Sequence, residues 1–389
     1  MMAFDVLQAE IDKLNPTRPD SIPAVVQHVL LDAVERGASD VHFEPTRKDL
    51  EVRYRLDGVM QTVARMPGDL AKNVVSRLKV MAELLTYRVD VPQEGRIADS
   101  KPFKNVDMRV STFPVVHGEK VAVRLFDPTG QVYELDQLGL GAEQMKEVSA
   151  LLRSRNGAVL MTGPSGSGKT TTIYACLQRM VTEEQGRRQI VSIEDPIERV
   201  IDGVSQTQVR PGTEFDFARG LRSLLRQDPE VIMIGEVRDS ETASIAIEAA
   251  LTGHLVFTTL HSGSACGVIG RLLDMGIEPY LLTSGLRAIL NQRLVRQLCP
   301  SCKRTEDGRA KAVGCSKCFG SGYRGRMLLA EILHITPELR EAILIRTDTH
   351  GLEIAAQSCP RMSMLEAGRL GVERGLTTEE EIERVLGAR

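Results

Sequence analysis

The chain has 389 residues, of which 42% are apolar and 26% are charged, a size and balance typical of a protein with two or three domains and a hydrophobic core. A formal net charge of −3 and an aromatic content of 4% offer neither a broad basic surface nor many stacking platforms, which disfavours a nucleic-acid-binding protein. No run reaches the roughly 20 apolar residues of a membrane-spanning helix, no signal peptide is evident, and seven cysteines are an odd number for a disulfide framework, so we expect a cytoplasmic protein.

The first part of the chain predicts a lead-in followed by a small α+β domain. Residues 1–22 are polar and contain prolines at turn-forming positions, so we expect a lead-in linker there. Beyond them, apolar residues at helical spacing end at Gly37, and residues 50–56 alternate between apolar and charged side chains before an Asp-Gly turn. The pattern predicts an N-terminal α+β (PAS-like) domain over residues 23–127 and a linker over residues 128–140.

From residue 141 onward, apolar strands alternate with helical segments. The predicted strands cover residues 157–162, 189–193, 231–234 and 255–260. Such alternation is typical of an α/β fold with a mostly parallel sheet that binds its ligand at the carboxyl ends of the strands. We therefore expect an α/β domain over residues 141–297, which the loop described next identifies as an ATPase domain, and a helical C-terminal region over residues 326–389.

A phosphate-binding loop follows the first of these strands. Residues 163–170 read Gly-Pro-Ser-Gly-Ser-Gly-Lys-Thr and match the P-loop motif at every fixed position, between an apolar strand and a helix. The glycines let backbone N–H groups surround phosphates, while Lys169 would reach the β and γ oxygens and the Thr170 hydroxyl would ligate Mg²⁺. We predict ATP and Mg²⁺ as cofactors, bound by Gly163, Pro164, Ser165, Gly166, Ser167, Gly168, Lys169, Thr170 and Thr171.

Three strand ends supply further candidates for catalysis. Glu236 follows a buried strand in the arrangement of a Walker B motif, with Gly235 where an aspartate often stands. Glu194 ends another strand and is a candidate for polarising the attacking water alongside Glu236, the alternative being a capping or turn role. His261 closes a third strand and is a candidate sensor of the γ-phosphate, with a structural histidine as the alternative.

Hydrolysis also needs a positively charged group that stabilises the negative transition state. An arginine side chain in that role can be worth about 10³–10⁵ in rate. The arginine candidates of the N-terminal domain are Arg53, Arg55, Arg96 and Arg109, with Arg124 following; the alternatives within the ATPase domain are Arg222, Arg226 and Arg238. Arg53 and Arg55 share one face of a predicted strand. A solvated surface charge is the alternative for each arginine taken alone.

Two cysteine pairs predict a metal site. Cys299 and Cys302 form one CxxC motif, Cys315 and Cys318 form another, and twelve residues separate the pairs. Four thiolates suit tetrahedral, structural Zn²⁺, although the interval is shorter than the roughly 15–20 residues of a common zinc ribbon. A redox role is the alternative, but a single pair would suffice for it. We expect a zinc-binding insertion over residues 298–325.

Taken together, these motifs resemble those of the ATPases of type II secretion and type IV pilus assembly. The resemblance rests on segments 37–45, 53–58, 92–97, 163–170, 193–198, 235–241, 252–254, 259–261 and 292–296 and on the cysteine pairs, which occur in the same order. It implies a homohexameric ring of RecA-like domains in which each N-terminal domain packs against a neighbouring ATPase domain. It also assigns Glu194 to the aspartate box of the family, Glu236 to its Walker B box and His261 to its histidine box.

The resemblance implies a motor at the cytoplasmic face of the bacterial inner membrane that contacts platform proteins. The chain departs from the family after His261, where it reads Ser-Gly-Ser-Ala in place of the usual Thr-Asn-Asp-Ala. We expect these residues to hold no counterpart of the family's further N-terminal docking domain, with a truncated chain and a naturally short protein as the alternatives. The four cysteines favour the assembly or secretion ATPases, because retraction ATPases typically lack them.

Two other functions stay open at this point. One is a non-hydrolysing scaffold that binds ATP to order a ring; the presence of Lys169, Thr170 and Glu236 opposes it. The other is a RecA-like nucleic-acid translocase, which the net charge and the scarcity of aromatic residues oppose.

Overall fold

The computed structural model of the protein describes residues 3–14, 19–97, 101–103, 106–126, 133–210, 213–306 and 308–387. The chain divides into two units, one comprising Met1–Gly130 with Arg296–Gly325 and the other Gln131–Val295 with Arg326–Arg389. The four-cysteine segment therefore belongs to the same unit as the N-terminal domain. Residues 128–132, the first part of the predicted linker, lie outside the described residues.

The N-terminal part of the first unit is a mixed α+β structure. Its helices are α1 (Ala3–Lys13), α2 (Ile22–Glu35) and α3 (Ala71–Met81), and its strands are β1 (Asp40–Pro45), β2 (Asp49–Leu56), β3 (Val59–Pro67), β4 (Gln93–Arg96), β5 (Asp107–Val115) and β6 (Gly118–Phe126). The strands form a sheet in the order β3-β2-β1-β6-β5-β4. As the alternation in β2 predicts, Leu50, Val52 and Tyr54 are buried. The Tyr54 hydroxyl donates to Val29 O at 2.6 Å, which joins β2 to α2.

The predicted lead-in linker over residues 1–22 contains a helix in its first part. Residues 3–13 form α1, and Leu7 and Ile11 are fully buried against the first unit. Two apolar side chains one helical turn apart form a narrow apolar face. Such a face is hard to recognise in a segment whose composition is mostly polar. Residues 15–18 of the predicted lead-in lie outside the described residues.

The second unit is built on a parallel sheet with helices on both sides. Its first elements are α4 (Ala142–Leu152), β7 (Gly157–Thr162), α5 (Lys169–Glu184), β8 (Ile190–Glu194), β9 (Ser205–Gln208), α6 (Phe217–Leu224), β10 (Val231–Ile234), α7 (Ser240–Leu251), β11 (Leu255–Leu260), α8 (Ala265–Asp274), α9 (Pro279–Gly285) and β12 (Leu286–Leu298). Strands β7, β8, β10 and β11 are continuously buried, as expected of a sheet covered on both faces. The predicted α/β class is confirmed.

The last third of the chain begins with the hairpin of the cysteine segment. Its elements are β13 (Arg304–Glu306), β14 (Arg309–Lys311), β15 (Tyr323–His334), α10 (Pro337–Leu344), α11 (Thr349–Ala356), α12 (Met364–Glu373) and α13 (Glu379–Leu386). Within the described residues the large sheet has the order β15-β12-β7-β11-β10-β8-β9. Each helix in those ranges falls short of the length and apolar character that crossing a membrane requires.

The C-terminal region over residues 326–389 is helical only from Pro337 onward, which corrects the prediction. Its start belongs to β15, where Leu328, Leu329 and Ala330 are buried. A short apolar run has the same appearance in a buried strand and in a buried helix. Only its pairing with the large sheet distinguishes the two.

A buried ion pair provides a test of the packing in the first unit. Lys79 on α3 is fully buried, lies 2.5 Å from Glu119 and donates to Arg88 O at 2.7 Å. We expect Lys79→Met to lower the free energy of unfolding by about 3–5 kcal/mol, because it leaves Glu119 buried without its partner. Urea denaturation measures this loss.

The matched control is Arg65→Met, which removes an ion pair with Glu51 whose arginine is 55% exposed. A surface pair contributes about 0–1 kcal/mol. Equal losses for the two variants would contradict the account of the buried pair.

Candidate functional site

The parallel register brings the predicted site residues to one edge of the large sheet. The P-loop follows β7, Glu194 ends β8, Glu236 lies two residues after β10, and His261 follows β11 directly. Because the carboxyl ends of parallel strands meet at one edge, these residues converge. They line a single cleft of about 350 Å³ together with P-loop residues 165–171.

The first glycine of the P-loop is required by its surroundings. Gly163 has φ +141°, and a Cβ there would lie 2.4 Å from Gln292 O and 2.7 Å from Ser167 Oγ. An L side chain rarely adopts such a φ, so only glycine allows β7 to turn into the loop beside β12. Helix α5 then begins at Lys169, and its first N–H groups point toward the cleft as a potential anion site.

Two side chains of the P-loop lie where a phosphate would bind. Lys169 is 8% exposed and its Nζ donates to Gly163 O and Pro164 O, both at 3.0 Å. Burial lowers the pKa of Lys169, and the negative charge of Glu236 opposes that shift. Ser167 Oγ is buried and has no hydrogen-bond partner among the described residues. A buried donor without a partner and a buried ammonium group fit the oxygens of a nucleotide's phosphates.

Glu236 is a carboxylate that faces the cleft. Its side chain is 20% exposed, its Oε1 accepts a hydrogen bond from Arg238, and its Oε2 lies 3.9 Å from His261 Nε2. Arg238 also lies 3.6 Å from Asp195. The cleft thus contains a solvent-accessible carboxylate between a guanidinium and an imidazole, beside the buried ammonium group of Lys169.

Glu194 has a different environment, although it lines the same cleft. It is 2% exposed and accepts hydrogen bonds from Tyr174, from Ser192 and from Gln206. Gly235 lies directly beside it, because Gly235 N donates to Ile193 O at 2.8 Å and a Cβ on Gly235 would lie 3.3 Å from Glu194 Cα. This crowding gives a physical reason for glycine at the position where an aspartate often stands.

The four candidate arginines of the N-terminal domain lie on the sheet of the first unit, whereas the cleft is lined by residues of the second. Each has a neighbour within its own unit. Arg53 lies 3.3 Å from Glu44, Arg55 lies 3.4 Å from Asp40, Arg96 lies 2.5 Å from Asp107, and Arg109 lies over the Phe126 ring. Their predicted contact with a nucleotide therefore stays a prediction.

Among the alternatives in the second unit, Arg238 contacts the site residue Glu236, while Arg222 pairs with Glu241 at 2.5 Å. Arg226 donates to Ser223 at 3.4 Å. Sequence reasoning missed Arg326 and Leu294, which line the cleft from β15 and β12. If residues 323–334 had been predicted as a strand of the large sheet, Arg326 would have been a candidate for the cleft.

The four cysteines converge within the first unit. Their Sγ atoms lie within 4.8 Å of one another, with separations of 3.9 Å for Cys299 and Cys315, 3.6 Å for Cys302 and Cys318, and 3.7 Å for Cys315 and Cys318. A tetrahedron with Zn–S distances of about 2.3 Å has S···S edges of about 3.8 Å. The backbone N–H groups of Cys315 and Gly322 lie 3.1 Å and 3.3 Å from Cys318 Sγ, as suits a thiolate ligand. The cluster fits a tetrahedral zinc ion.

Comparison with known proteins gives consistent matches over nearly the whole chain. The family model described as "Type II/IV secretion system protein" matches residues 17–384. The type II secretion system ATPase E of Vibrio cholerae is 42% identical, over 98% of this chain and 77% of its own length. The putative type II secretion system protein E of Escherichia coli is 40% identical, over 98% of this chain and 80% of its own length.

Solved structures share the fold. The pilus retraction motor PilT with bound ADP has a TM-score of 0.60 and 26% identity, covering 92% of this chain and 96% of that one. The ATPase DotB of Legionella pneumophila has a TM-score of 0.69 and 22% identity, covering 93% of this chain and 95% of that one, and its similarity concerns the fold alone. The family model and the curated relatives confirm the resemblance drawn from the motifs.

Adding a single methyl group at Gly163 tests the geometry of the P-loop. We expect Gly163→Ala to weaken nucleotide binding at least tenfold, because its Cβ would overlap Gln292 O and force the loop open. Titration with a fluorescent ATP analogue measures the affinity.

The matched control is Gly263→Ala, since a Cβ at Gly263 meets nothing within 4 Å and its φ lies outside the left-handed region. Wild-type affinity in Gly163→Ala, or an equal loss in the control, would show that the close approach at Gly163 does not shape the loop.

Proposed function

This chain belongs to the family of type II/IV secretion system proteins, and we propose that it is a motor that hydrolyses ATP to power type II protein secretion or the assembly of a type IV pilus or pseudopilus. The observation that carries the proposal is the convergence in one cleft of a complete P-loop and the cleft-facing carboxylate of Glu236. The relatives include a protein named type II secretion system ATPase E, which supports the same proposed function.

In the proposed reaction, the backbone N–H groups of residues 165–170 and the Lys169 ammonium hold the β- and γ-phosphates of ATP. The Thr170 hydroxyl, at the start of α5, would ligate Mg²⁺, and the bound ion would neutralise charge on the phosphate oxygens. Glu236 orients a water molecule and accepts its proton as the water oxygen bonds to the γ-phosphorus. The bond to the β–γ bridging oxygen breaks with its electron pair remaining on ADP, and inorganic phosphate is released.

His261 and the arginines complete the proposed site. The His261 imidazole lines the cleft and lies 3.9 Å from Glu236, and we propose that it senses the γ-phosphate. We propose that the positive charge that stabilises the transition state comes from arginines of the N-terminal domain, namely Arg53, Arg55, Arg96 and Arg109. Arg238 is the alternative within the second unit. Stabilising the negative charge of the phosphoryl group in the transition state by such an arginine is worth about 10³–10⁵ in rate.

We further propose that the motor acts as a homohexamer on platform proteins at the cytoplasmic face of the inner membrane. This follows the family resemblance, in which nucleotide-driven closure of domains produces the stroke. Association with the membrane would then be peripheral and occur through these partners.

Phosphate release by the purified protein tests the proposed activity. We expect Mg²⁺-dependent release that Glu236→Gln and Lys169→Ala each lower by about 100-fold or more, because one loses the proton acceptor and the other the phosphate contact. The control is Lys146→Ala, which removes only a surface pair with Glu143. Rates in the two variants equal to the wild-type rate would overturn the site assignment.

The same assay separates the alternatives. No release above that of Glu236→Gln by the wild type, with nucleotide still bound, would identify an ATP-binding scaffold. Stimulation by DNA would identify a nucleic-acid translocase.

We propose that Cys299, Cys302, Cys315 and Cys318 hold one structural Zn²⁺. The near-tetrahedral spacing of their Sγ atoms supports this, and a segment whose β13–β14 hairpin is mostly exposed has little core of its own. Metal binding at such sites can contribute about 10–16 kcal/mol to folding.

Elemental analysis tests the zinc proposal. We expect about one zinc ion per chain, lost in Cys302→Ser and retained in Cys359→Ser, whose buried thiol lies outside the cluster. A chelator should also lower the melting temperature of the wild type. A zinc-free protein with an unchanged melting profile would contradict the proposal.

A further inference from the structure

A hydrogen-bonded network surrounds the buried carboxylate of Glu194. Oε1 accepts from Ser192 Oγ at 2.5 Å and from Gln206 Nε2 at 3.1 Å, and Oε2 accepts from the Tyr174 hydroxyl. Ser192 and Glu194 lie two residues apart on β8 and hence on one face, and Gln206 on β9 pairs in register with Ser192. Ser192, Glu194 and Tyr174 are each at most 2% exposed.

The side chains that bond Glu194 also hold the loop that follows it. The Tyr174 hydroxyl oxygen accepts from Glu198 N at 3.2 Å. Gln206 donates to Arg199 O at 2.9 Å and accepts from Ile201 N at 2.7 Å. Asp195, Pro196 and Glu198 of this loop line the nucleotide cleft, so the network sets the position of one wall of the cleft.

The two glutamates of the cleft therefore differ in what they can do. A carboxylate has about four acceptor sites, and three donors already occupy those of Glu194, which is 2% exposed. A water-activating base must present an oxygen to the water within hydrogen-bond reach. Glu236, at 20% exposure, meets that condition, whereas Glu194 is enclosed by its donors.

We propose that Glu194 is a positioning residue which, together with Tyr174, latches the 195–201 loop to the P-loop helix, and that activation of water rests on Glu236 alone. This assignment rests on the proposed ATPase function and differs from the shared role that the sequence suggested for Glu194. Tyr174 is suited to the latch because it lies on α5 four residues after Thr170, one helical turn further along the same face.

Tyr174 retains its hydroxyl proton under working conditions. Burial, together with the negative charge of Glu194, raises its pKa well above the ordinary value. The hydroxyl therefore donates to Glu194 while its oxygen accepts from the loop, which connects α5, β8 and the loop through a single atom.

Replacing each glutamate by its neutral isostere separates the two roles. In Glu194→Gln the amide oxygen still accepts from Ser192 and Gln206, and its NH₂ group can donate to the Tyr174 oxygen. We expect this variant to keep about a tenth or more of the wild-type kcat, with KM for ATP within about twofold and with the acidic limb of the pH–rate profile in place. We expect Glu236→Gln to lose about 100-fold or more. Equal losses in the two variants, with nucleotide still bound, would overturn the proposal.

Removing one oxygen atom tests the latch itself. In Tyr174→Phe the Glu198 N–H loses its acceptor, so we expect amide hydrogen exchange over residues 195–201 in the nucleotide-free protein to become at least about tenfold faster. We also expect kcat to fall several-fold while KM changes little. The control is Tyr280→Phe, on a tyrosine that is 61% exposed, where exchange and kcat should match the wild type.

Exchange over residues 195–201 that is unchanged in Tyr174→Phe would overturn the latch. This readout needs no hydrolysis, so it decides the proposal even if the wild type releases no phosphate, an outcome that would count against the proposed ATPase function alone.

Discussion

The parallel alignment of four buried strands is the constraint on which the site depends. In the register of β7, β11, β10 and β8, Thr162 lies opposite Leu260, Thr258 opposite Ile234, and Ile234 opposite Ile193. The strands therefore end nearly level, and the segment that follows each strand contributes residues to the same cleft. Because both faces of the sheet are covered by helices, slipping one strand would draw the polar residues that flank its ends into the core. The packing of the core and the geometry of the cleft are thus set by the same contacts.

Much of the second unit could be predicted from the sequence, because its signals are local. An apolar strand, a glycine-rich loop and a helix follow one another without interruption at residues 157–184. The acid that ends β8 and the acid that follows β10 are close to apolar runs. The cysteine cluster could also be predicted from the sequence, because two CxxC motifs at short separation are typical of a site formed by four thiolates. Gly235 shows what the motif alone does not explain. The motif indicates that an aspartate is missing there, but the reason is structural, because a Cβ on Gly235 would lie 3.3 Å from Glu194 Cα.

Other features depend on contacts between distant segments, which spacing alone does not specify. No spacing or motif indicates that Tyr174 bonds Glu194, twenty residues away, or that Arg326 lines the cleft. The cysteine segment follows β12 of the ATPase fold, yet it groups with the N-terminal domain. There Arg36 lies 4.4 Å from the centre of the Phe319 ring, and Asp57 accepts from Gly325 N at 2.9 Å. These pairings follow from tertiary packing, as does the burial of Leu7 and Ile11 on α1.

The central claim is that the P-loop holds the terminal phosphates of ATP, and Lys169 gives its most direct test. In this structure its ammonium donates to Gly163 O and Pro164 O, bonds that phosphate oxygens would replace. A crystal structure with Mg²⁺ and a non-hydrolysable ATP analogue should show phosphate density within residues 163–170, with Lys169 Nζ moved from those carbonyls to the β and γ oxygens. Nucleotide density at another place, with Lys169 still bonded to the two carbonyls, would contradict the account.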